Sequence, residues 1–152
     1  EGGILPIAIR MINEFLPEGK LILYTQGKAS PRMDYNSNGK GKYQQLPLTV
    51  LIDEASASAS EIFAGAIQDY GLGPIVGTTT YGKGIVQQIF DLGDGTCVKL
   101  TMAEYYTPNG RNIHKKGITP DVEVEYQQDE NNPDADNQLD AALEQVRNKI
   151  NQ

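Results

Sequence analysis

The stretch Leu48-Thr49-Val50-Leu51-Ile52-Asp53-Glu54-Ala55-Ser56-Ala57-Ser58-Ala59-Ser60-Glu61-Ile62-Phe63-Ala64-Gly65-Ala66-Ile67-Gln68-Asp69-Tyr70 passes from an apolar run into an apolar helix. Leu48 to Ile52 is apolar except at Thr49, the pattern of a strand covered on both faces. Pro47 just ahead is tolerable at a strand's first position. From about Ser58 to Tyr70 the spacing predicts a helix, closed by Gly71. The serines at its start lie at the positive end of the helix dipole, among N–H groups without internal acceptors. Such a place holds an oxyanion.

Outward from there, Ile4 to Leu16 carries apolar residues at amphipathic helix spacing, stopped by Pro17-Glu18-Gly19. Lys20 to Thr25 reads as a strand, and 26–45 as a long polar loop or hairpin. Ile75-Val76-Gly77 is a short strand and Thr78 to Gly84 a loop. Ile85 to Leu92 and Thr96 to Thr107 flank Gly93-Asp94-Gly95, a hairpin signal. Asp121 to Glu125 alternates as a half-exposed strand, 127–137 is a solvated linker, and Asn137 to Ile150 is an amphipathic helix. Helices alternating with strands give an α/β layer fold.

The chain has 152 residues and a formal charge of −7, enough for one domain with a real core. Its largest basic cluster is Lys115-Lys116, which excludes a nucleic-acid partner on charge grounds. No apolar run approaches the roughly 20 residues of a membrane span. Cys97 is the only cysteine, so it forms no intrachain disulfide, and it is expected to pack as a small apolar residue in a strand. One His and one Cys cannot supply a tetrahedral N/S metal set, and Gly71-Leu72-Gly73-Pro74 is a helix stop rather than a dinucleotide fingerprint. No metal or cofactor is expected. The opening Glu1-Gly2-Gly3, without a starting Met or targeting segment, reads as an internal piece of a longer protein.

The candidate chemistry rests on a hydroxyl and an amine. Ser58 is the candidate nucleophile, although Ser56, Ser58 and Ser60 also suit simple helix capping and Ser58 to Glu61 spells a capping box. Lys83, held in Tyr81-Gly82-Lys83-Gly84, is the candidate general base. An ordinary lysine has a pKa near 10.4, so it must be desolvated or crowded by positive charge to serve. The flanking glycines permit close backbone approach and a buried, tight site; the alternative is a surface loop lysine. Gln87 could orient the amine or could be a strand residue facing water. Asp69 and Glu61 could support the site, with a solvated or structural role the simpler reading. His114, in a basic polar turn, reads as a surface residue and not as part of a triad.

Taken together, Ser56 to Tyr70, Val76 to Gln87, Tyr105 to Ile113 and Lys116 to Val122 resemble the C-terminal processing peptidases, also called tail-specific proteases. The resemblance runs over residues 1–126 and favours the catalytic readings of Ser58 and Lys83 over the simpler ones. It implies a Ser58/Lys83 dyad with Gln87 orienting the lysine, and an oxyanion hole from Ala59 N–H plus Gly2 or Gly3. Asp69 matches an acidic position on the nucleophile helix. It implies a partial crotonase-like core, with a PDZ-type domain and an N-terminal part of the core outside this stretch. Residues 127–152 form a polar linker and a C-terminal helix. The implied activity is a serine endopeptidase acting near protein C-termini, on tails of protein or peptide substrates, in a bacterial envelope, periplasm or secreted setting, with a homo-oligomer left open as an assembly. Two other readings stand beside it: a tail-binding module that does not cut, and, more weakly, a crotonase-type acyl-CoA enzyme.

Overall fold

In a computed structural model, residues 2–151 are described, and they build two sheets with helices packed on them. Helix α1 covers Leu5–Asn13, with Pro6 in its first turn where a missing N–H costs nothing. Strands β1 (Leu21–Gln26) and β2 (Met33–Asn36) follow; β2 lies inside the stretch read as polar loop or hairpin, and the hairpin alternative holds. Strand β3 is Val50–Ile52, α2 is Ala59–Asp69, and β4 is Ile75–Gly77. The long hairpin is β5 (Ile85–Asp91) with β6 (Cys97–Tyr106); β7 is Val122–Glu123 and α3 is Asn137–Ile150.

One sheet has the order β2-β1-β6-β5 and is antiparallel throughout. The other, β3-β4-β7, is parallel, and its β3–α2–β4 connection is the strand–helix–strand unit that the opening stretch predicts. The core lies where α1 and α2 meet the strands: Ile12, Ile22, Leu23, Ile62, Ile67 and Ile75 are all buried there. Tyr105 and Ile118 extend it toward the loop after β6.

Two expectations about burial are corrected, for β3 and for Cys97. β3 is not covered on both faces, because it is an edge strand and Leu51 stays 42% exposed beside the open face of α1. Cys97 starts the outer part of β6, where the hairpin projects beyond the core, and its thiol is exposed rather than packed. Along α3 only Ala142 is buried, while Leu139, Leu143 and Ile150 stay exposed.

Candidate active site

The chain between β3 and α2 makes a tight turn that ends on Ser58. Ser58 caps α2 with φ 57° and ψ −114°, and Lys115 is the other non-glycine among the described residues with positive φ. A serine in that region stores about 1–3 kcal/mol of strain and needs surrounding bonds to hold it. Those bonds are present: Ile62 N–H reaches Ser58 O at 3.1 Å, and Tyr81 N–H reaches Ser56 O at 3.0 Å. Ser58 N–H donates to Glu61 Oε2 at 2.7 Å, which is capping-box geometry.

Glu61 does more than cap the helix. Its side chain is fully buried, which corrects the solvated reading. Oε1 accepts from Thr80 Oγ1 at 2.6 Å and Gly82 N–H at 2.7 Å, while Oε2 also accepts from Lys83 N–H at 2.8 Å. Thr80 Oγ1 in turn accepts from Ile118 N–H at 2.7 Å. One buried carboxylate therefore fixes the serine turn and the lysine loop to each other. Four donors are enough to compensate its loss of water.

The lysine loop is pressed against the loop after β6. A Cβ on Gly84 would stand 2.4 Å from His114 N, so only glycine fits, and Lys115 N–H donates to Gly82 O at 2.8 Å. The backbone approach is as close as the two glycines imply, but the Lys83 side chain is exposed and its Nζ bonds to no described residue. Lys83 lines a cavity of about 790 Å³ together with Gly2, Ala57, Tyr81, Ile85 and His114. His114 corrects its reading as a surface residue: it is half-buried, and Nδ1 is enclosed without a hydrogen-bond partner.

Gly2 stands directly against the serine. A Cβ on it would lie 2.5 Å from Ala57 O and 2.9 Å from Ser58 Cβ, whereas one on Gly3 would meet nothing within 4 Å. Ala59, the first residue of α2, carries one of the N–H groups that a helix leaves without an internal acceptor. Gln87 lies on β5 opposite Thr101, exposed, with no described side-chain bond to Lys83.

Asp69 sits at the opposite end of α2, roughly 16 Å along the axis at 1.5 Å per residue. Its side chain is only 3% exposed, so it is not solvated. It pairs with Arg111 and accepts from Asn109 N–H at 2.8 Å, while Arg111 Nη1 donates to Gln68 Oε1 at 2.8 Å. Asp69 thus anchors the loop after β6 to the helix end and stands apart from the serine. Sequence reading passed over Thr80, the buried hydroxyl linking Glu61 to Ile118; its only signal is a polar residue in the Thr78–Gly84 loop. No helix among the described residues is long and apolar enough to cross a membrane.

Comparison with known proteins identifies the family of the chain. The chain is 41% identical over 124 residues to a carboxyl-terminal-processing protease of Synechocystis, covering 82% of this chain and 29% of that protein. It is 38% identical to a probable CtpA-like serine protease of Staphylococcus epidermidis, covering 81% of this chain and 25% of the relative. It therefore spans less than a third of the length of these curated relatives. Among solved structures it matches a photosystem II D1 C-terminal processing protease with TM-score 0.77 and 36% identity, over 82% of this chain and 32% of that one. The tricorn protease matches with TM-score 0.59 at 22% identity, over 96% of this chain and 14% of the other, a likeness of fold. Residues 1–124 match the description of peptidase family S41, and the chain belongs to that family.

Proposed function

We propose that this chain is the catalytic portion of a C-terminal processing protease that cuts protein substrates near their C-termini by a Ser58/Lys83 dyad. The observation that carries the reading is the Glu61 carboxylate, which ties the Ser58 turn and the Lys83 loop together beside Gly2. Ser58 Oγ attacks the scissile carbonyl as neutral Lys83 takes its proton, giving a tetrahedral adduct. Ala59 N–H and the Gly2 backbone stabilise the oxyanion, each donor contributing about 3 kcal/mol. The C–N bond breaks as Lys83 returns the proton to the leaving amine, and water then hydrolyses the acyl-enzyme. Gln87 orients the amine once the site is closed around it. Glu61 is a positioning residue, and Asp69 supports the loop after β6.

The core is read as part of a crotonase-like protease fold ending in the α3 helix, within a longer protein of the bacterial envelope, periplasm or secreted space. Exposure of Lys83 in this stretch fits a site completed by the rest of that protein. The same exposure favours a second reading, a tail-binding module without turnover. A fluorophosphonate probe on the full-length protein separates the two. Labelling is expected in the native protein and lost in Ser58→Ala and Lys83→Ala; labelling that survives Ser58→Ala overturns the dyad, and absent labelling with retained tail binding favours the module.

A further inference from the structure

β5 is an edge strand of the antiparallel sheet, and nothing among the described residues pairs with its outer side. It begins two residues after Lys83, and Ile85 lines the same cavity as Lys83 and Gly2. The far edge of β6 has no residue in that cavity. Every residue of β5 is exposed or half-buried.

The ladder shows which backbone groups are free. Leu92 N–H donates to Thr96 O at 3.0 Å at one end of the hairpin, and Tyr105 N–H to Gly84 O at 2.9 Å at the other. The register pairs Ile85 with Glu104, Gln88 with Leu100 and Phe90 with Val98. The alternation of an antiparallel ladder then turns the N–H and C=O groups of Val86, Gln88 and Phe90 toward β6. Those of Ile85, Gln87, Ile89 and Asp91 point outward. The irregularity near Val86 inserts its extra residue, Met102, on β6 and leaves β5 regular. Proteins guard a strand edge with proline, lysine or inward charge. In β5 the only charge is Asp91, at the far end, and there is no proline.

We propose that this outer edge holds the part of an extended peptide substrate that follows the cleaved bond, an inference that rests on the Ser58/Lys83 reading. A lysine that returns a proton to the leaving amine sits where β5 begins, so the chain beyond that amine starts there too. β5 runs away from the cavity and the leaving segment runs the same way, so the two pair in parallel. Seven strand residues span about 20 Å, enough for about six substrate residues. Recognition is through main-chain bonds and tolerates varied sequence. Phe90, Val98 and Leu100 share one face of the hairpin and favour apolar substrate side chains at every second position.

The test uses the full-length protein and peptides that carry a single N-methyl group, walked along the leaving side. Each lost bond is expected to lower kcat/KM about three- to tenfold, at alternate positions only. Peptides with just two leaving-side residues escape the effect. Ile89→Pro removes an outward N–H while sparing the ladder to β6, and lowers kcat/KM by a similar factor for long leaving segments but not for short ones. Hydrolysis indifferent to N-methylation, or reduced without alternation, overturns the edge assignment alone and means another segment occupies it. Absence of hydrolysis, or hydrolysis unchanged by Ser58→Ala, overturns the reading of the site and this inference with it.

Discussion

The backbone N–H groups of Ser58 and Lys83 donate to the same oxygen, Glu61 Oε2, at 2.7 and 2.8 Å. Two loops that are separated by a whole helix in the chain are thereby held in one register. A carboxylate is required because four donors converge on it and none of the four has a second acceptor described. Glu61→Gln puts an NH₂ group against N–H donors in a buried place. It is expected to lower stability by about 3 kcal/mol, seen as a fall in the urea midpoint. Glutamine that leaves the midpoint unchanged shows that the carboxylate is not what fixes the two loops.

Gly2 and Gly3 separate by the same kind of argument. A methyl group on Gly2 collides with Ala57 O and Ser58 Cβ, while the space around Gly3 is open. Both alanine variants keep the backbone N–H, so the difference between them comes from the clash. In the full-length protein, Gly2→Ala is expected to push the Ser58 turn out of place and lower kcat about a hundredfold or more, a loss as large as that of an oxyanion donor, and Gly3→Ala only a few-fold. Steady-state kinetics on one peptide with both variants decides. Equal losses show that the close contact between Gly2 and Ser58 is not what positions the serine.

Asp69 and Arg111 offer a third measurement. Asp69 is almost fully enclosed and Arg111 less than half exposed, so the pair is neither a surface bridge nor a fully buried one. Removing Arg111 leaves the Asp69 charge with only the Asn109 N–H. Arg111→Ala is expected to cost about 2–3 kcal/mol, and a double-mutant cycle with Asp69→Asn to show about 1–2 kcal/mol of coupling. Because the pair lies at the far end of α2 from Ser58, kcat should follow stability and not fall on its own.

Much of this arrangement was legible in the residues. The β3–α2–β4 unit follows from an apolar run, a serine turn and a helical spacing, all local features. The hairpin β5–β6 follows from Gly93-Asp94-Gly95. Burial was less legible, since it depends on what lies across from each residue. Cys97 and Leu51 are apolar by type, yet they face outward because one is on a projecting hairpin and the other on an open edge. Glu61 and Asp69 are charged by type, yet their partners, Thr80, Gly82, Lys83 and Arg111, come from distant segments. No local pattern announces such a convergence. Lys83 marks the limit in the other direction: the glycines around it encode the backbone approach, whereas the solvent around its amine is set by whatever covers the cavity.

Tyr70 gives the clearest dependence on pH. Its hydroxyl donates to Leu21 O at 2.9 Å, joining the end of α2 to β1. Burial raises its pKa above the ordinary 10.0, and the charge of Asp69 adds to the shift. A raised folded pKa means that the folded state holds the proton more tightly than the unfolded chain. The resulting stability is fully present below the unfolded value and is lost as pH rises through the folded one. Tyr105 and Tyr106 are shifted in the same direction, again mainly by burial, so they steepen the alkaline loss. Tyr70→Phe is expected to cost about 1 kcal/mol at neutral pH through the lost hydrogen bond. It should also shrink the fall in urea midpoint between about pH 8 and pH 11 relative to the native chain. An equal fall in both proteins assigns the alkaline loss to the other tyrosines and removes Tyr70 from the account.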